Sequence, residues 1–231
     1  MASSPSPRVT DRKREILAAA SRVFRAKGLH EAGMRDIAAE LGMTAGNLYY
    51  YFENKQEILA FCQEDALAGL DELARHVATL PARHDTRLYL QIVGHVVRLN
   101  EGTPGSLAHL EAEGLEGHWR SSILAHRRQY ERALRVLIAA GVAAGTFRAD
   151  ADPMAAAMAI LGGMNWTVKW FRPEGRKTAR EIGAELAALL VRGLLAPGVE
   201  LATPSPDQIE ATIAAVRGAA EAADATHPDA D

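Results

Sequence analysis

The chain has 231 residues, 48% of them hydrophobic, and 26 Lys+Arg against 29 Asp+Glu give a net charge of −3 at pH 7. That is enough apolar material for one large core or two small ones, and it excludes a chain that is disordered throughout. The single cysteine, Cys62, excludes an intramolecular disulfide and a cysteine-based zinc site; a reducing, intracellular setting fits, with Cys62 as a small buried hydrophobe.

The opening residues, MASSPSPRVTDRKR, lack the apolar stretch of a secretory leader and read as a flexible, basic lead-in. A first helix is expected from Thr10 or Asp11 to Gly28. Ile16, Ala20, Val23 and Phe24 fall on one face of it, and Arg12, Arg14, Arg22 and Arg25 on the other. A second helix, Met34 to Leu41, is closed by Gly42, and a third starts at Ala45 with Thr44 as its N-cap. Two short helices joined by a tight turn containing Gly form the helix-turn-helix pattern, whose second helix fits a DNA major groove. Charge placement agrees: residues 1–60 hold nine Lys+Arg against seven Asp+Glu, and the remainder 17 against 22.

The third helix lies in MTAGNLYYYFENK, an aromatic crowding that neither a core nor an ordinary surface favours. Leu48 and Phe52, at i and i+4, are expected to pack inward, leaving Tyr49, Tyr50 and Tyr51 on the exposed side. Tyrosine hydroxyls and rings suit phosphates and sugars, while Ala45 and Gly46 let the backbone come close to DNA. Asn47 has the geometry to pair with adenine, and Lys55, opening the next helix, is placed to neutralise a phosphate.

From Lys55 a long helix is expected to run to just before Pro81, followed by helices over about 85–101, 104–115, 119–144, 152–171 and 178–195. No period-2 stretch is long enough for a strand, so the fold class is all-α. The longest apolar run, Met154 to Met164, is shorter than the ~18 residues of a membrane-spanning helix, so no membrane partner is expected. The last 35 residues carry seven Asp+Glu against Arg217 alone. Within them Ser205-Pro206-Asp207-Gln208 has the form of a capping box, so one more helix is expected before a frayed end.

His95, His109, His118 and His126 are not spaced for a metal site, so neither a metal nor another cofactor is expected. No Gly-rich phosphate loop or nucleophile–base set gives positive support for an enzyme.

The segment KGLHEAGMRDIAAELGMTAGNLYYYFENKQEIL resembles the N-terminal domain of TetR-type transcriptional repressors, over about residues 10–60. The resemblance implies DNA-backbone contacts from Thr44, Tyr49, Tyr51 and Lys55, and base contacts from Arg35, Gly46, Asn47 and Tyr50. Three positions depart from the family pattern. Gly33 stands where a Ser or Thr usually caps the second helix and touches phosphate. Ala45 replaces a basic or polar residue at the DNA-facing start of the third helix, and Tyr51 stands where a His is common.

The resemblance further implies a cytoplasmic, double-stranded operator-binding homodimer, paired through the helices near 153–171 and 178–195. The nearly all-round apolar character of the first of these, and the wide apolar stripe of the second, independently call for a partner. The expected organisation is a DNA-binding domain at 1–55, an effector and dimerisation domain at 56–196, and an acidic extension at 197–231. The segment GGMNWTVKWFRPEGRKTAREIG is similar to the branch that senses acyl-CoA thioesters and controls lipid, steroid or aromatic-acid catabolism. For such an effector Trp119, Ile123, Tyr130, Met158 and Trp166 are candidates for an apolar slot, and Arg120, Arg127, Arg128 and Lys169 for its phosphates. The alternative is a drug-like cation met by Glu111, Glu113 and Glu116.

Overall fold

The computed structural model describes residues 7–28, 31–102 and 115–223. Their helices are α1 (Pro7–Lys27), α2 (Met34–Glu40), α3 (Ala45–Tyr49), α4 (Lys55–Thr79) and α5 (His84–Val97), a π-helical turn over Arg98–Gly102, then α6 (Gly117–Ala143), α7 (Pro153–Trp170), α8 (Ala179–Arg192) and α9 (Pro206–Ala223). Among the described residues β pairing is confined to one isolated antiparallel bridge, Phe147 to Leu195, so the fold is all-α. The expected helix at 104–115 lies almost wholly outside the described residues, as does the end of the chain after Ala223.

Boundaries follow local chemistry. Helix α1 begins earlier than expected, at Pro7, because proline suits the first turn, where its missing N–H forms no helical bond anyway. It ends at Gly28, whose φ of +82° is one that side-chain-bearing residues avoid. Asp152 caps α7 through Met154 N–H, with Pro153 as first residue. A reciprocal Thr178–Glu181 box opens α8.

The expected single helix over 85–101 is split: α5 is regular to Val97, and the backbone then widens into the π turn. Asn100 Nδ2 donates there to the Val96 carbonyl at 2.8 Å and to Thr167 Oγ1 at 2.7 Å. A side chain bonding into the helical ladder and outward to another helix goes with such a widened turn.

The chain divides into two compact units, with divisions inside α4, after the π turn, inside α6 and near the end of α9. In the first, Ile16, Leu17 and Phe24 of α1 meet Ile37 of α2, Leu48 of α3, Phe52, and Ile58 and Cys62 of α4, with Leu115 and Ile123 completing the core. Cys62 is buried, as expected of a small hydrophobe.

The second unit is organised around α5, which is buried along almost its whole length. Helix α8 lies against it at Gly183, where an added Cβ would come 3.1 Å from Val93 Cα. The segment leading into α9 is fastened to the start of α5: the fully buried Asp85 carboxylate accepts from Arg83 and, at 2.8 Å, from Ala202 N–H. Ile209, Ile213 and Val216 of α9 are buried, giving the extension an apolar inner face.

Candidate functional site

The reader candidate is assembled in the first unit. Helix α2 starts at Gly33 in extended backbone, and Asp36 Oδ2 accepts the Gly33 N–H at 2.9 Å. Glycine supplies no side chain to return the bond, so half of a capping box is present. The Asp36 carboxyl is held below its usual range by its bond to Lys27 and then by Gly33 N–H. Helix α2 closes in a Schellman motif: Met43 N–H bonds Ala38 O at 3.0 Å, Gly42 N–H bonds Ala39 O at 3.1 Å, and Gly42 takes φ +62°. Thr44 Oγ1 then accepts Asn47 N–H at 3.2 Å, capping α3.

Leu48 and Phe52 are buried, which leaves Tyr49 53% and Tyr50 80% exposed. Tyr51 behaves differently from its neighbours: it is partly buried against the core and receives Tyr50 edge-on, with ring centroids 5.1 Å apart. The aromatic surface offered to solvent is therefore two rings, with the third bracing one of them. Arg35, Thr44, Gly46 and Asn47 are exposed and Ala45 is half-buried. Lys55 commits one N–H to the Ala32 carbonyl at 2.9 Å, tying the start of α4 to the turn before α2. Several basic residues of α1 are bridged to carboxylates, including Arg22 to Glu40 at 2.7 Å and Lys27 to Asp36 at 2.7 Å. The local positive excess is thus smaller than the residue count alone conveys.

The candidate effector residues fall in separate places. Trp119 and Ile123 belong to the core of the first unit, and Arg120 is exposed on the same stretch of α6. Tyr130 is buried in the second unit, with Arg127 partly buried on the preceding turn. Met158, Trp166 and Lys169 are exposed on α7, Trp166 by 64%. Glu111, Glu113 and His109 lie outside the described residues. Among the described residues no three His, Cys, Asp or Glu side chains gather as metal ligands.

Tyr130 belongs instead to a buried polar chain. Gln91 Nε2 donates to its hydroxyl at 2.8 Å, that hydroxyl meets His95 Nδ1 at 2.8 Å, and His95 Nε2 meets Asn165 Oδ1 at 3.0 Å. Asn165 Oδ1 can only accept, so Nε2 carries the proton and Nδ1 accepts from Tyr130. Burial pushes the imidazole down to about 4, against a smaller opposing effect of Asn165, so the ring is neutral. Helices α5, α6 and α7 are thereby joined by one chain of directional bonds. Gln91 and His95, four residues apart in the apolar run LYLQIVGHVV, were the signal available for it.

Exposed apolar side chains gather on α7, and α8 adds Leu189 to a stripe that otherwise carries Glu181, Glu185 and Arg192. Met154, Met158, Trp166, Trp170 and Leu189 are all exposed. Beside them is a pocket of about 480 Å³ lined by Trp170, Phe171, Arg172, Gly175, Arg176, Lys177, Ile182, Glu185, Leu186 and Leu189. Lys177 is paired with Glu185 at 2.6 Å, and Arg172 Nη1 donates to the Phe171 carbonyl at 2.9 Å. RPEGRK lies within the stretch similar to the acyl-CoA-sensing branch, but its cations were not among the expected phosphate contacts, which were Arg120, Arg127, Arg128 and Lys169.

A capped helix-turn-helix with two exposed tyrosines, joined to a helical unit whose apolar interior is crossed by a polar chain, defines the class of helix-turn-helix transcriptional regulators. Within that class the chain belongs to the TetR family. Residues 16–61 match the model of bacterial regulatory proteins of the tetR family, and residues 83–194 match the tetracyclin repressor-like C-terminal domain. The family assigns a regulatory and not a catalytic role. The chain is similar to the HTH-type transcriptional repressor KstR2 of Mycobacterium tuberculosis H37Rv, at 27% identity over 83% of this chain and 96% of that protein. The TetR-family regulator PfmR of Thermus thermophilus superposes with a TM-score of 0.71 at 30% identity, over 77% of this chain and 97% of that one. AibR, solved with isovaleryl coenzyme A and operator DNA, superposes with a TM-score of 0.68 at 27% identity, over 78% and 98% of the two chains.

Proposed function

We propose that the protein is a homodimeric, cytoplasmic repressor that binds operator DNA through residues 1–55 and is released by an acyl-CoA thioester bound to residues 56–196. The DNA contacts are assigned to Arg35, Thr44, Ala45, Gly46, Asn47, Tyr49, Tyr50, Tyr51 and Lys55, with Tyr51 acting chiefly as the brace of Tyr50. The observation that carries the reading is the exposure of Tyr49, Tyr50 and Asn47 on a capped helix whose other side is anchored by Leu48 and Phe52.

For the effector, AibR with its isovaleryl coenzyme A and the repressor KstR2 support the acyl-CoA choice. The pocket at Trp170–Lys177 fits the nucleotide end of such a ligand. Trp170 offers a ring for an adenine, and Arg172 and Arg176 offer charge for phosphates, Lys177 being paired with Glu185. An effector releases the repressor only to the extent that it binds the non-binding conformation more tightly. The test is a titration of the purified protein on its own upstream intergenic DNA with a panel of acyl-CoA thioesters, free acids and cationic dyes. Release by a CoA ester and not by its free acid is the expected result; release by the dyes alone overturns the effector assignment.

A further inference from the structure

Lys13 sits on the basic α1, where a lysine reads as a DNA phosphate ligand, yet its ammonium is turned inward over two rings. Nζ lies 5.6 Å from the Phe52 centroid and 5.5 Å from the Phe61 centroid. The rings themselves meet edge to face, 5.8 Å apart at 76°. Phe52 closes the reader segment, with its N–H on Leu48 O at 3.1 Å, while Phe61 stands in the second turn of α4. One cation on α1 therefore clamps the ring that ends the reader to the ring of the helix that follows it.

We propose that Lys13 is a positioning residue for DNA reading, which fixes the aim of α3 through Phe52 and does not itself neutralise a phosphate. This rests on the assignment of residues 44–51 as the reader. Helix α3 has five residues, too few to hold a helical conformation or a direction unaided. Its aim is set by the Thr44 cap and by the seats of Leu48 and Phe52. A cation is drawn to the faces of both rings at once, a directional constraint that an aliphatic side chain of the same length lacks. Base-edge contacts need that aim, whereas phosphate contacts tolerate its loss.

The experiment measures affinity of the full-length protein for its operator duplex and for a scrambled duplex of equal length across a salt series. Lys13→Met keeps the aliphatic stem; Lys13→Arg keeps the cation; Phe61→Leu removes one ring and leaves Lys13 in place. Expected are a loss of about tenfold on the operator for Lys13→Met and for Phe61→Leu, unchanged affinity for the scrambled duplex, an unchanged salt slope, and recovery in Lys13→Arg. A purely structural lesion lowers binding to both duplexes alike and overturns the proposal. So does a salt slope for Lys13→Met shallower by about 0.9 with Phe61→Leu unaffected, because that marks a direct phosphate contact. Wild-type protein that binds neither duplex in a salt-dependent way overturns the reader assignment itself.

Discussion

In the unit carrying α1–α3 the apolar side chains are inside and two tyrosines face out: Leu48 and Phe52 are buried, Tyr49 and Tyr50 exposed. In the unit organised on α5 the interior is apolar too, with Leu90, Ile92, Val96, Ile138 and Ile160 buried, but a polar chain crosses it and apolar side chains remain outside. Gln91, His95, Tyr130 and Thr167 are buried, while Met158, Trp166, Trp170 and Leu189 are exposed. An outward aromatic on an otherwise ordinary helix marks a surface that meets a partner. Exposed apolar side chains over an apolar interior crossed by one polar chain mark a unit whose helices α5, α6 and α7 are tied by directional bonds as well as by packing. Directional bonds have discrete arrangements, which is what a regulator with two states requires.

The largest effect expected from breaking this contrast is at Leu189, 70% exposed on α8. Leu189→Arg places a charge on the proposed dimer face, beside the pocket that Leu189 also lines; sedimentation is expected to show folded monomer, with operator affinity down more than about 100-fold. Next is Tyr50→Ala, which removes the most exposed ring of the reader. A loss of about 10- to 100-fold in operator affinity is expected, with the dimer intact by sedimentation.

Tyr130→Phe sharpens the other side of the comparison. It removes the hydroxyl shared by Gln91 and His95, leaving two buried groups unsatisfied, and is expected to cost about 2 kcal/mol in urea unfolding. The smallest effect is in pH. His95 is pushed down to about 4 in the folded chain, so its neutral form stabilises the fold fully above the unfolded value near 6.5. That stability is lost as pH falls from about 6.5 towards 4, with a slope of at most ~1.4 kcal/mol per pH unit. Replacement by Gln is expected to flatten the difference between urea midpoints at pH 7 and pH 5; an unchanged difference would assign the acid sensitivity elsewhere.

The helix-turn-helix was legible because its determinants are local. Gly42, Thr44, Leu48 and Phe52 fix the turn, the cap and the buried face within eleven residues, and a chain of one period carries that information in its spacing. Tyr51 escaped because its inward lean depends on the core and on Tyr50. The effector side was less legible for a different reason. Gln91, Tyr130 and Asn165 come from three helices, with Gln91 and Tyr130 39 positions apart and His95 and Asn165 70 apart, so no short window of sequence contains the chain of bonds. The π turn likewise depends on Thr167, 67 positions away from Asn100. Trp119 and Ile123 have the composition of a ligand slot and the position of a core, a distinction that composition does not carry.

The brevity of α3 bears on how long the protein persists in a cell. A five-residue helix held only by its cap and two anchored side chains is the kind of segment that opens locally and is reached by proteases. Operator DNA that engages only the ordered helix withdraws it from that equilibrium, by ~2.7 kcal/mol when the operator is at 100 times its Kd. On the proposed function, copies resting on an operator would be turned over more slowly than copies released from it, so release would shorten the protein's lifetime as well as its residence on DNA.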